Sequence, residues 1–192
     1  MNFPLALKQL FAELGLKTDS SQQLLWSKCL QLELNKMQLI FSKDKANEFE
    51  YILVDGILHR FNMNEKGEII TTGLYMGPRI ITPHFARTVN NKNIFSLQAL
   101  TNVVLLEMPV NQLDELRYNV PEFRLFGQTV LENELAANLK TDIDYRSLTA
   151  KEKLTLLRNA FPGIENLVPH QVIASYLGIT NVSLSRLRKE TI

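Results

Sequence analysis

Cysteine is nearly absent from this 192-residue chain, with Cys29 the single example. One thiol excludes an internal disulfide framework and the four-thiolate set of an iron–sulfur cluster. Cys29 falls in the apolar pattern of Leu24, Leu25, Leu30 and Leu32, where a buried structural thiol is expected. Long apolar runs are absent too. None approaches the roughly 18 residues of a membrane span, so a soluble protein without a membrane partner is expected. The first ten residues lack a basic stretch followed by an apolar one and a small-residue cleavage site, which points to a cytoplasmic location. Histidine is scarce, with three in the chain, and no His-x-His pair occurs. His59 and His84 are expected to be structural. A Gly-x-Ser-x-Gly elbow and a glycine-rich phosphate loop are also missing, as are internal repeats and low-complexity tracts. A metal enzyme built on a β-roll would need two or three histidines and a carboxylate around one ion, so no enzyme, catalytic residue, metal or cofactor is expected.

The net charge of +1 hides an asymmetry. Residues 1–150 hold 15 basic and 17 acidic side chains, whereas residues 151–192 hold 6 and 3. The basic end is the one expected to meet a polyanion.

Periodicity divides the chain. Leu5, Leu7, Leu10, Phe11 and Leu14 recur at helical spacing before Gly15, and a second helix is predicted over residues 20–35. From Met37 the pattern becomes short β-rich runs at 37–41, 51–54, 57–61, 69–72, 74–76 and 103–106. Asp55-Gly56 reads as a hairpin turn, and Asn64-Glu65-Lys66-Gly67 as a longer loop closed by a glycine at positive φ. Many short strands predict an antiparallel barrel or double-sheet roll, and the whole an α+β fold. Helical spacing returns in Leu113, Leu116 and Tyr118. Pro121 then opens a long helix to about Ile143 with two apolar stripes: Phe123, Phe126, Val130 and Ala137, and opposite them Leu131, Leu135, Leu139 and Ile143. Two stripes ask for two partners, and a homodimer is expected along the second. Residues 140–147, acidic and loop-like, read as the domain junction.

The C-terminal segment carries the function. A helix-turn-helix needs a small residue where its helices approach, a glycine at the turn and apolar residues facing its small core. Ala174, Gly178 and the set Ile173, Leu177, Ile179, Leu184 and Leu187 meet these needs together, with Thr180 as N-cap of the second helix. With Leu184 and Leu187 inward, Val182, Ser185, Arg186 and Lys189 face outward, flanked by Asn181 and Arg188. Arg186 suits a bidentate guanine contact, Asn181 a base or phosphate, and Val182 a thymine methyl. Thr180, Ser183, Lys189 and His170 suit phosphates.

These residues, the roll from Met37 to Val110 and the long helix together resemble the Crp/Fnr transcriptional regulators, relatives of the cyclic-AMP receptor protein. The resemblance is specific at Ala174, Gly178, Ser185 and Arg186. It implies a cyclic-nucleotide-binding-type β-roll with N-terminal helices over residues 1–118, a long dimerisation helix and hinge over 119–146, and a winged-helix-like DNA-binding domain over 147–192. Double-stranded DNA, a second copy, RNA polymerase and a small-molecule effector of unknown identity are the partners it implies. The chain departs from the family's nucleotide cassette, which has Gly-Glu and then Arg-Ser or Arg-Thr. Here Pro78 follows Gly77, no acidic residue lies between Glu68 and Glu107, and Asn90-Asn91-Lys92-Asn93 stands in the second position. Without those groups a cyclic phosphate loses its charge-assisted contacts, so no cyclic-AMP binding is expected. Arg79, Arg87 and Lys92 are candidates for holding another anion but read more readily as solvated loop charges. Any wing is expected before the helix-turn-helix or in rudimentary form. The alternative to a DNA-binding regulator is a ligand-sensing or interaction module whose helix-turn-helix no longer binds DNA.

Overall fold

The computed structural model of the chain describes residues 4–190. Two helices, α1 (Leu5–Glu13) and α2 (Asp19–Lys28), lead into strands β1 (Leu30–Leu34), β2 (Leu39–Phe41), β3 (Phe49–Asp55), β4 (Ile57–Met63), β5 (Ile69–Met76) and β6 (Arg79–Ile80). A one-turn helix α3 (His84–Arg87) and the small hairpin β7 (Thr88–Val89) and β8 (Lys92–Asn93) precede β9 (Ser96–Ala99) and β10 (Val103–Pro109). Helices complete the chain: α4 (Val110–Asn119), α5 (Pro121–Ser147), α6 (Ala150–Ala160), α7 (Ile164–Leu167), α8 (His170–Leu177) and α9 (Asn181–Lys189). Among the described residues no helix is long and apolar enough to cross a membrane.

The strands form two four-stranded antiparallel sheets, ordered β1-β10-β3-β6 and β2-β9-β4-β5, facing each other as the predicted double-sheet roll. Alternation along β3 and β10 separates two cores, because successive strand residues point to opposite faces. Tyr51, Leu53, Val103 and Leu105 face between the sheets with Phe41, Leu58, Tyr75, Phe95 and Leu97. Ile52, Leu106 and Met108 face outward, where they meet Leu7 and Phe11 of α1, Leu25 of α2, Leu113 and Leu116 of α4, and Phe123, Phe126 and Val130 of α5.

Four local expectations need correction. The helix predicted over residues 20–35 ends at Lys28, since Leu30, Leu32 and Leu34 alternate with Gln31 and Glu33 at period two and pair with β10. Cys29, which ends α2, is half-buried and donates to the Leu25 carbonyl, and burial pushes its thiol up to about 12. Asp55-Gly56 is no hairpin turn, because β3 and β4 belong to different sheets; the pair carries the chain between them. Gly56 is required there at φ +96°, since a Cβ would lie 2.5 Å from the Asn102 carbonyl. The runs at 69–72 and 74–76 are one strand, β5, with its register shifted opposite Arg60 and Phe61. Residues 140–147 continue α5: Lys140–Asp144 and Asp142–Arg146 pair one turn apart, so the acidic stretch supports the helix it was expected to end. The glycine-closed loop at 64–67 stands as expected, joining β4 to β5 with Gly67 at φ +77°.

Candidate nucleic-acid interface

The C-terminal unit begins at Thr149, which caps α6 in a reciprocal capping box with Glu152. Leu154, Leu157, Ile164, Val168, Ile173, Ala174, Leu177 and Leu184 form its core. Ala174 is buried where α8 meets its neighbours, and Gly178 ends α8 at φ +69°. A side chain at Gly178 would also collide with the Tyr145 hydroxyl, so the turn between α8 and α9 lies directly against the end of α5. Thr180 caps α9, its Oγ1 accepting from the Ser183 backbone N–H at 3.1 Å.

That framework fixes the outer face of α9. Val182 is 62% exposed, and Thr180, Asn181, Ser185, Arg186 and Lys189 are exposed as well, while Ser183 is half-buried beside the cap. Arg186 and Lys189 form no ion pair among the described residues. Arg188 differs: its Nε donates to Glu165 at 2.9 Å and its Nη1 to His170 Nδ1 at 3.3 Å. His170 is exposed and lies 3.2 Å from the Glu165 carbonyl through Nε2. Hydrogen bonds from Arg158, reinforced by the charges of Arg158 and Arg188, hold the Glu165 carboxyl below the ordinary carboxylate range. Glu165 escapes a sequence reading because its partners lie 7 and 23 positions away, a spacing no single helix uses. No strand lies among the described residues of 148–190, so the expected wing has no counterpart there.

The unit also rests on the roll. Ser175 of α8 donates to the Ile69 carbonyl at 3.2 Å and accepts from the Thr71 N–H at 2.9 Å, occupying the open edge of β5. Ile57, Leu74 and Leu100 of the roll join the C-terminal core.

Two of the three candidate cations of the roll depart from expectation. Arg87 is fully buried and not a solvated loop charge. Its guanidinium donates to the Thr82 carbonyl at 3.1 Å, Asn93 Oδ1 at 2.8 Å and the Phe49 carbonyl, with its centre 4.7 Å from the Phe41 ring and 5.3 Å from the Tyr51 ring. Arg79 lies 3.9 Å from Glu134 of α5 and over the Tyr75 ring. Lys92 is exposed in the β7–β8 hairpin, as expected. His59 is buried between Thr71 and Gln98, and burial lowers its pKa; His84 reaches the Asn47 carbonyl at 2.6 Å. Both are structural, as the sequence suggested. Arg60 Nη2 donates to Asn138 of α5 at 3.1 Å, and Thr82 Oγ1 donates to Glu134 at 2.6 Å, so polar side chains bridge the roll to the long helix.

No family model matches the sequence. Individual proteins do. The regulatory protein HlyX of Actinobacillus pleuropneumoniae is 25% identical over 165 residues, spanning 80% of this chain and 68% of that one. The transcriptional activator Anr of Pseudomonas protegens is 24% identical over 121 residues, covering 63% of this chain and about half, 49%, of its own. The solved structure of FixK2 from Bradyrhizobium japonicum superposes with a TM-score of 0.71 at 15% identity, over 84% of this chain and 83% of the other. In sequence the chain is similar to these regulators, which are of the Crp/Fnr kind. Its β-roll, long helix and helix-turn-helix are the Crp/Fnr architecture. Among the described residues, α9 carries Arg186 and Lys189 exposed on the outer face of the helix-turn-helix.

Proposed function

We propose that this Crp/Fnr chain is a sequence-specific DNA-binding transcriptional regulator that acts as a homodimer, by binding and not by catalysis. The observation that carries the reading is the outer face of α9, where Arg186 and Lys189 stand unpaired and Val182 exposed on a helix held by a glycine turn. In the major groove, Arg186 reads a guanine edge, Asn181 a base or phosphate and Val182 a thymine methyl; Thr180, Ser183, Ser185 and Lys189 orient the helix on the backbone, whereas both ring nitrogens of His170 are engaged within the protein. The DNA-binding part is residues 147–192, the roll and its helices 1–118, and the long helix with the hinge, 119–146, lies between.

Dimerisation is supported by the second stripe of α5. Leu131, Leu135, Leu139 and Ile143 are 37%, 67%, 59% and 54% exposed. Leu135, Leu139 and Ile143 forgo more than half, and Leu131 a smaller part, of the roughly 1.5–3 kcal/mol that full burial of such a side chain contributes, and a two-fold pairing of α5 recovers it for both copies. Paired recognition helices then sit about 34–36 Å apart and select an inverted repeat.

The roll is proposed not to bind cyclic AMP. Arg87, the buried cation near the cassette region, is committed to the protein's own carbonyls and rings, and the acidic and Arg-Ser positions are missing. The effector is a different small molecule. Retardation of an inverted-repeat duplex from the protein's own upstream region, with sedimentation at twice 22.0 kDa, tests the proposal. A monomer at micromolar concentration that retards specific and scrambled duplexes alike would refute it, and saturable cyclic-AMP binding would refute the reading of the roll.

A further inference from the structure

Behind the open face of α9, two arginines from different helices converge on one carboxylate, with a histidine beside them. Arg158 of α6 grips Glu165 of α7 in a fork, Nε to Oε2 at 2.7 Å and Nη2 to Oε1 at 3.2 Å. Arg188 of α9 reaches the same Oε1 through Nε at 2.9 Å, and its Nη1 meets Nδ1 of His170 on α8 at 3.3 Å. A guanidinium has no lone pair, so Nδ1 is the acceptor and the Nε2–H of a neutral His170 donates to the Glu165 carbonyl. Glu165 is the best shielded of the three charges, its side chain 17% exposed against 30% for Arg158 and 36% for Arg188.

Such a clamp has a task in α9. Nine residues are too few for a helix to hold itself in water, and among them only Leu184 is buried, with Leu187 half-buried. The last turn carries Arg186, Arg188 and Lys189, whose like charges repel. Arg188 drawn inward onto Glu165 both relieves that repulsion and pins the final turn, which sets the direction in which Arg186 and Lys189 project. We infer that Arg188 is a positioning residue of the recognition helix, held by Glu165 against Arg158 and His170, and not a contact to the DNA backbone. This rests on the reading of α9 as the DNA-reading helix.

The test uses the full-length protein on a specific and a scrambled duplex at several salt concentrations, with Glu165→Gln, Arg188→Met, their double variant and Arg188→Lys. Each of the first two lowers specific affinity about five- to tenfold, the scale of one well-formed charged contact, and leaves scrambled-duplex affinity and the salt slope unchanged. The double variant is no weaker than either single one, because both remove the same contact. Arg188→Lys keeps the charge without the fork and falls between. Unfolding midpoints close to the parent's show that the effect is one of aim; should Glu165→Gln fail to fold, Arg188→Lys against Arg188→Met carries the same comparison. A phosphate contact at Arg188 gives a different result, equal weakening on both duplexes and a slope reduced by about 1 in Arg188→Met, with tighter binding in Glu165→Gln as the cation is released. Either outcome overturns the inference. Arg186→Ala on the same duplexes separates the two levels. If it is without effect, the DNA-reading assignment of α9 fails and this inference with it; if it acts while Glu165→Gln does not, only the clamp fails.

Discussion

Arg87 in the roll and Arg186 on α9 carry the same guanidinium in opposite settings. Arg87 is sealed between Phe41 and Tyr51 with its N–H groups on the Thr82 and Phe49 carbonyls and Asn93, while Arg186 is exposed and unpaired. The contrast extends to their neighbours. In the roll Arg60 and Arg79 are engaged with Asn138 and Glu134 of α5, whereas at the other end Lys189 joins Arg186 in solvent. A cation whose donors are all satisfied by its own chain is part of the architecture; one left open at the surface of a rigid helix is available to a partner. On this criterion these arginines of the roll belong to the support, and the proposed DNA-reading chemistry lies at the C-terminal end.

The comparison breaks most visibly at Arg87. Arg87→Ala removes a buried cation, leaves three acceptors and the Glu50 carboxyl without it, and opens a cavity between two aromatic rings. A loss of about 3–5 kcal/mol in urea unfolding is expected. A loss below about 1 kcal/mol would mean that Arg87 is a solvated loop charge after all, and the distinction between the two ends would collapse.

Sequence patterns anticipated this division unevenly. The helix-turn-helix was legible because its constraints are local: Ala174, Gly178, Thr180 and the apolar set lie within fifteen residues, and each position has its own steric or hydrogen-bonding reason. The roll was legible as a class through its short β runs. Its wiring was not, because whether Asp55-Gly56 closes a hairpin or carries the chain between sheets depends on partners such as Asn102 that lie far along the chain. Arg87 was misread for the same reason, since nothing near it in sequence announces Phe41 and Tyr51. Residues 140–147 misled in the other direction: their charges suggested a loop, while their four-residue spacing, Lys140 to Asp144 and Asp142 to Arg146, was the helical signal.

The two faces of α5 sharpen the comparison further. Phe123, Phe126 and Val130 are buried against the roll, while Leu135 and Leu139 have no cover within the chain. Leu135→Asp should leave the monomer's unfolding nearly unchanged yet weaken dimerisation by about 3 kcal/mol, since a charge would have to enter an apolar contact. Sedimentation across a concentration series reads this directly. An unchanged dimer would place the interface elsewhere.

On α9 the expected effects are smaller and differ in kind. Arg186→Ala should lower specific affinity by about 1–3 kcal/mol and relax preference at one base of each half-site, the signature of a lost guanine fork. Lys189→Ala should weaken specific and scrambled duplexes alike and reduce the log-affinity against log-salt slope by about 1. If both substitutions were silent on both duplexes, α9 would present an interaction surface for another partner, and the contrast between the arginines of the roll and the open helix would need a different explanation.

The smallest effect tests whether the N-terminal helices belong to the support. Glu122, in the first turn of α5, accepts from the Thr18 backbone at 2.9 Å, from the Thr18 hydroxyl at 2.7 Å, and also from Lys17 and Ser21. Desolvation raises its pKa, but the hydrogen bonds from Ser21, Thr18 and Lys17 outweigh it and hold the carboxyl at about 2. A carboxylate depressed on folding stabilises the native state above its unfolded pKa, and that contribution disappears as pH falls from about 4.5 towards 2. The group lies near the surface, so solvent screening reduces the full linkage value to about 1 kcal/mol at neutral pH. Glu122→Gln should therefore be less stable than the parent by about that amount at pH 7, and the gap should close progressively below pH 4.5. Glu50, which burial shifts in the opposite direction, is present in both proteins, so its titration cancels in the difference. A gap that is constant from pH 7 to pH 3 would show that Glu122 acts through packing alone, and that α2 is fastened to α5 by its apolar residues without help from this carboxylate.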